Sequence, residues 1–214
     1  MQVEIWSDVV CPWCYLGKVR FERALGSFEH RDDVEVVYRS FELDPTAEPG
    51  HTTPTVDLLA EKYGMTVQQA NDAQHQMEQR AAADGLTFHL EGLHSGNTRD
   101  AHRLTQLAKA RNVQPALVER LHRAYFTEQA SVFDAASLTE IAVDAGLDRD
   151  EVARVLAGDE YADAVIADET MARDLGANGV PFFVIDRRYG ISGAQSSELI
   201  AESLSRAWAD SVTV

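Results

Sequence analysis

Cysteine is scarce in this chain: two in 214 residues, Cys11 and Cys14. A disulfide framework needs more of them, and a structural zinc site needs four ligands where this chain has one cysteine pair. Basic residues are short too, with 19 Lys and Arg against 35 Asp and Glu and a formal charge of -16. A surface of that sign repels the phosphate backbone of nucleic acid and the anionic face of a membrane, so neither is expected as a partner. The acidic residues are scattered rather than blocked, the pattern of a solvated surface. Long apolar runs are missing, since nothing approaches the roughly 20 residues that span a bilayer. Met1-Gln2-Val3-Glu4-Ile5-Trp6 shows no basic stretch followed by an apolar one, so no secretory signal is read. A reducing cytoplasm is the expected compartment, and there a cysteine pair two residues apart is catalytic, redox-sensing or metal-binding sooner than a permanent staple.

What is present suffices for a core, with 45% hydrophobic residues. Gln2 to Trp6 alternates like a half-buried strand and leads through Ser7-Asp8-Val9-Val10 to the cysteines. Phe21, Ala24, Leu25 and Phe28 follow at helical spacing, and Val34 to Phe41 is β-branched and aromatic. The opening is therefore a β-α-β unit with parallel strands. Pro, Glu and Gly between Asp44 and Gly50 suggest a boundary, beyond which helices dominate. Helix starts are expected at Thr66 with Gln69, Ser137 with Glu140 and Asp148 with Glu151, the spacing of capping boxes, and at Pro115 in a first turn. Leu117, Leu121, Ala124 and Tyr125 form one apolar stripe and Leu138, Ile141, Ala142 and Ala145 another, both read as core, with Gly146 and Gly158 at helix ends. Pro181 to Ile185 and Tyr189 to Ser192 read as a hairpin turning at Asp186-Arg187-Arg188, and Ser196 as the cap of a last helix carrying Leu199, Ile200, Leu204 and Trp208. The order β-α-β, helical block, β-β-α implies one sheet built from both ends of the chain around an insertion.

Cys11-Pro12-Trp13-Cys14 lies between strand and helix, the setting that gives such a pair redox meaning. The first helical turn has free backbone N–H groups and the positive end of the dipole, which favour thiolate, the attacking form, at Cys11. Cys14, one turn on, is placed to resolve a mixed disulfide. Pro12 suits the first helical position. Inert buried thiols are disfavoured because helix-entry loops tend to be accessible. His89, His94 and His102 match no compact metal site and read as surface or hydrogen-bonded histidines, so no metal is expected. Trp13 either offers an apolar face to a substrate or packs on the insertion. Asp8 reads as a turn former before a group that tunes the thiol, and Asn97 as a helix cap before a binding residue.

Asp8-Val-Val-Cys11-Pro-Trp-Cys14-Tyr-Leu-Gly17-Lys, the segment Gly179-Val180-Pro181-Phe-Phe-Val, Asn97-Thr98-Arg99-Asp100-Ala101-His102-Arg103-Leu104 and Gly193-Ala194-Gln195 together resemble the DsbA-like oxidoreductases of the thioredoxin superfamily, most closely the FrnE branch. That branch is related to 2-hydroxychromene-2-carboxylate isomerases and kappa-class glutathione transferases. The resemblance implies an α/β thioredoxin-like fold from residues 1–44 and 170–214, with an all-helical insertion at 45–169. It implies a cis bond between Val180 and Pro181 facing the cysteines, and a substrate edge formed by Trp13, Val180 and Pro181. Without it, Pro181 reads as an ordinary strand-initial proline. The implied activity is thiol–disulfide exchange on a protein or small-molecule substrate, with no bound cofactor and glutathione at most a redox partner. A glutathione-dependent isomerase or transferase is the alternative, disfavoured because such isomerases are expected to carry serine where this chain has Cys11. A redox-sensing binding protein is the third reading. Substrate, direction of exchange and oligomeric state are not legible.

Overall fold

Val3, Ile5 and Trp6 make a strand because branched and aromatic side chains suit a pleated surface, and in the computed structural model, which describes residues 1–211, this strand (β1, Gln2–Ser7) lies inside a four-stranded sheet. Its neighbours are β2 (Glu35–Ser40), parallel, with Ile5 opposite Tyr38, and β5 (Phe182–Ile185), antiparallel, with Ile5 opposite Phe183. β6 (Tyr189–Ser192) pairs with β5 and completes the order β2-β1-β5-β6. Asp186 and Arg187 turn the hairpin with φ of 48° and 55°, the left-handed backbone of the primed turns.

The alternation of β1 does not mark a half-buried strand. Both faces are covered, and Glu4 is as buried as its apolar neighbours. Its carboxylate meets two guanidiniums, Arg39 at 2.6 Å and Arg187 at 3.1 Å, and Arg39 also reaches Asp168 at 3.0 Å. Paired and hydrogen-bonded, a charge can sit where sequence alternation points to water. Burial would raise the Glu4 pKa, but the two arginines hold it below the usual carboxylate value.

Helix α1 (Pro12–Gly26) and helix α9 (Ser197–Ser211) cover one face, where Phe21, Ala24, Ile200, Leu204 and Ala207 pack on Val3, Ile5 and Phe183. On the other face Trp6, Phe182 and Val184 pack with Ala172 and Ala177. Ser196 accepts the Leu199 N–H at 3.3 Å as the expected cap of α9.

The intervening stretch holds α2 (Thr55–Tyr63), α3 (Val67–Ala83), α4 (Arg99–Ala110), α5 (Gln114–Phe126), α6 (Ala135–Asp144), α7 (Arg149–Ala157) and α8 (Ala162–Asp174). It is not all-helical: β3 (Thr52–Pro54) and β4 (His94–Gly96) form an antiparallel ribbon, too short to stand out in sequence. The expected boundary between 169 and 170 falls inside α8, whose Ala172 belongs to the sheet core. Thr66 and Gln69 make the full capping box, and Asp148 caps α7 through the Asp150 and Glu151 N–H groups. The box expected at Ser137 and Glu140 is displaced: Asp134 is the cap and Ser137 donates its N–H to it, because a carboxylate three residues earlier reaches the same free donors. Both apolar stripes are buried except for the half-buried Ala145, and their core is continuous with Val9, Tyr15 and Leu16 of the cysteine segment. The insertion also closes the edge of β2, where the Gln114 amide takes the Tyr38 N–H at 3.0 Å and donates to its carbonyl at 2.9 Å.

Candidate functional site

Cys11 is the N-cap residue of α1, with extended φ and ψ of -90° and 111°, and Pro12 follows in the first turn as expected. Its side chain makes no capping bond to the first turn of the helix. The loop before it is closed by the Cys11 N–H on the Asp8 carbonyl at 3.2 Å, and the Cys14 N–H returns to the Cys11 carbonyl at 3.0 Å.

Pro181 comes from the far end of the sequence to the same place. The Val180–Pro181 bond is cis, and the Val180 carbonyl accepts from Cys11 Sγ at 3.7 Å. α1 approaches so closely here that a Cβ on Gly17 would stand 2.8 Å from Pro181 Cγ. Gly17 therefore carries no side chain for a packing reason. Trp13 packs on the insertion, under the Arg80 guanidinium of α3 at 5.8 Å from the ring centroid, and is 42% exposed.

The expectation of accessible thiols needs correction. Cys11 is 4% exposed and Cys14 is 2% exposed, because the Val180–Pro181 segment and the core around Val9 and Tyr15 close over the helix entry. Burial, then the hydrogen bond and charge of Cys11, push the Cys14 thiol well above its ordinary value. The Asp8 backbone and the Ser7 side chain pull the other way.

Asp8 is more than a turn former. Its carbonyl closes the loop, while its buried carboxylate accepts the Leu43 N–H at 2.7 Å and meets His102 Nε2 at 3.2 Å. Burial alone would lower the His102 pKa, but the hydrogen bond and charge of Asp8, with Glu42 and Glu169 nearby, hold it above the usual histidine value. Glu42 has an Arg99 partner at 3.2 Å, yet burial still raises its pKa. His89 and His94 are exposed, and among the described residues no cluster could hold a metal. Asn97 acts as the expected cap in part: its Oδ1 takes the Arg99 N–H at 3.0 Å, one residue ahead of the formal cap Thr98.

Ser7 and His122 were not legible as site residues. His122 sits on α5 with Nε2 3.3 Å from the Asp8 carbonyl and its ring stacked on Tyr15, centroids 4.9 Å apart. The signal was its place four residues after Val118 and three before Tyr125, which puts an imidazole on the apolar face of the helix.

A model of the DSBA-like thioredoxin domain matches residues 2–205. A probable DsbA oxidoreductase from Streptomyces coelicolor is 51% identical and superposes with a TM-score of 0.94, covering 98% of this chain and 90% of its own. The cytosolic disulfide reductase DsbM from Pseudomonas aeruginosa, solved with GSH, is 15% identical with a TM-score of 0.69, covering 96% of this chain and 98% of its own. A 2-hydroxychromene-2-carboxylate isomerase is 14% identical with a TM-score of 0.70, covering 100% of this chain and 98% of its own. At these identities the last two speak for the fold alone.

Proposed function

The chain belongs to the family of DSBA-like thioredoxin domains, and from that premise we propose that it exchanges thiols and disulfides through Cys11 and Cys14. The observation that carries this reading is the meeting of Cys11 Sγ, at the free N-terminus of α1, with the Val180 carbonyl, while Cys14 stands one helical turn behind. A backbone carbonyl beside the sulfur marks an edge on which an extended substrate segment can pair, with Trp13 as its exposed apolar neighbour.

In the oxidising direction for the substrate's reductant, the Cys11 thiolate attacks one sulfur of a substrate disulfide. The S–S bond breaks, the departing substrate thiolate takes a proton, and a mixed disulfide remains on Cys11. Forming that bond removes the Cys11 charge and hydrogen bond that hold the Cys14 thiol high. Cys14 then ionises more readily, attacks Cys11 Sγ and expels the second substrate thiol. Two protons and two electrons have passed from the cysteines to the substrate, and the enzyme carries a Cys11–Cys14 disulfide. A second thiol pool, glutathione being one such reductant, returns it to the dithiol. The reverse sequence oxidises a substrate. A reducing cytoplasm is the compartment in which the first direction runs.

The test is trapping. Cys14→Ala is expected to accumulate a mixed disulfide on Cys11, whereas Cys11→Ser forms none, and the wild type is expected to reduce an insulin-type disulfide without bound glutathione. Equal trapping by both variants overturns the division of labour. Glutathione-dependent isomerisation of an aromatic acid, without dithiol activity, would transfer the chain to the isomerase reading.

A further inference from the structure

Arg80 is exposed on α3, and of the positions three or four residues away on the same helix face only Asp84 carries an acid. Asp84 is committed elsewhere. Arg20 of α1 reaches its carboxylate through Nε and Nη2 at 3.0 and 2.7 Å, and Arg23 of α1 through Nη1 at 3.0 Å. Glu78, also on α3, accepts the Leu90 N–H at 2.7 Å. Among the described residues no carboxylate pairs with Arg80, and its guanidinium lies over the Trp13 ring instead. The Trp13 indole N–H likewise finds no acceptor among the described residues. Two residues after Cys11, an exposed ring therefore carries an unpaired cation and a free donor.

We propose that Arg80, held on Trp13, is a specificity-determining residue that favours polypeptide substrates with an Asp or Glu beside the reacting cysteine. The ring supplies a flat apolar surface for the substrate chain, and stacking on it limits the orientations of the guanidinium. The planar fork of N–H donors matches the two oxygens of a carboxylate. Asp84 would occupy that fork were it not drawn to Arg20 and Arg23, so the two α1 arginines keep Arg80 open to a substrate. The formal charge of -16 opposes an acidic partner at long range. Within the Debye length of about 8 Å the nearest charge outweighs it, so selection acts on the docked substrate and not on its approach. A lysine at the same substrate position meets a like charge and is disfavoured.

This inference rests on the reading of Cys11 and Cys14 as an exchanging pair, and its test fails separately from that reading. Three peptide disulfides that differ only in the residue next to cysteine, Glu, Gln or Lys, are reduced side by side, and each kcat/KM is divided by that of the Gln peptide, so that any general loss of activity cancels. In the wild type the Glu peptide is expected to lead the Gln peptide by about fivefold, the upper end for a solvent-exposed charge pair, with the Lys peptide last. Arg80→Gln is expected to bring the ratios close to one, Arg80→Lys to keep the order with a smaller spread, and Arg80→Glu to reverse it. Equal ratios in the wild type, or the wild-type ratios persisting in Arg80→Gln, would overturn the proposal. Glutathione disulfide also carries carboxylates: an effect of Arg80→Gln on it alone, with none among the peptides, would overturn the assignment to acidic polypeptide. The same peptides with serine in place of cysteine bind without exchange, and the NMR shift of the Trp13 indole N–H measures their affinities. Equal affinity of the Glu and Lys peptides counts against Arg80, whereas failure to reduce any disulfide with the affinity order intact counts against exchange and supports Arg80.

Discussion

Two buried histidines touch Asp8 from opposite sides and respond to it in opposite ways. His102, on α4, meets the carboxylate at 3.2 Å and is held above the ordinary histidine pKa. His122, on α5, meets the carbonyl of the same residue at 3.3 Å and is lowered to about 4. Burial is nearly the same, 2% and 1% exposed, so burial does not decide between them. The atom presented does: an anionic oxygen offsets the desolvation of a cation, whereas a neutral carbonyl next to the Lys18 ammonium does not. One loop residue thereby sets one imidazole toward the charged form and the other toward a fixed neutral tautomer, a few residues from the cysteines.

The largest expected effect comes from removing the carboxylate while keeping the carbonyl. Asp8→Ala leaves His102 buried without its partner and the Leu43 N–H without its acceptor, and breaking such a buried pair costs about 3–5 kcal/mol. Urea unfolding at neutral pH measures it. In the gentler Asp8→Asn, His102 is expected to titrate lower by NMR, while His122, on which the Asp8 charge acts only weakly, moves down much less. An equal shift of both would break the contrast.

A smaller effect separates the two by pH window. His122 has a folded pKa near 4 against 6.5 for an ordinary histidine. The unfolded chain therefore binds more protons between those values. The stability this group contributes is full above 6.5 and is lost as pH falls toward 4, on the order of 3 kcal/mol. His102, raised instead, contributes stability that is full below 6.5 and is lost as pH rises through its folded value. His122→Phe, which keeps the stack on Tyr15, is expected to flatten the acid limb and leave the alkaline limb as it was. Stability curves across pH by chemical denaturation check this, and an acid limb unchanged in the variant would assign the loss to other groups.

The smallest effect sharpens the contrast by distance. Thr66→Ala removes one half of the capping box at the start of α3, worth about 1 kcal/mol. The unfolding free energy is expected to fall by that amount with neither histidine shifting. Any movement of the His102 or His122 titration would mean that the contrast is spread through the insertion and not set at Asp8.

How much of this was legible in sequence can be read from individual residues. Pro12 after Cys11, the strand before them and the hairpin at Asp186 follow from local rules about φ, hydrogen bonding and periodicity, and each is found where expected. Glu4 misled, because its period-2 position points away from the core in a one-sided sheet and only a second covering layer with Arg39 and Arg187 makes it a buried ion. Ser137 misled by three residues, since Asp134 competes for the same N–H groups. Trp13 was undecidable because exposure on one side and Arg80 on the other are properties of neighbours, not of the motif.

By itself the sequence determined the order of elements, the family resemblance and the cysteine pair at a helix start, because these depend on residues adjacent in the chain or repeated at helix and strand periods. The tertiary structure alone decided that both thiols are buried, that Gly17 gives way to Pro181, and that Asp8 faces His102 with one atom and His122 with another. Those contacts join residues about 90 to 160 positions apart, where desolvation and hydrogen-bond geometry act through space and leave no period in the sequence to read.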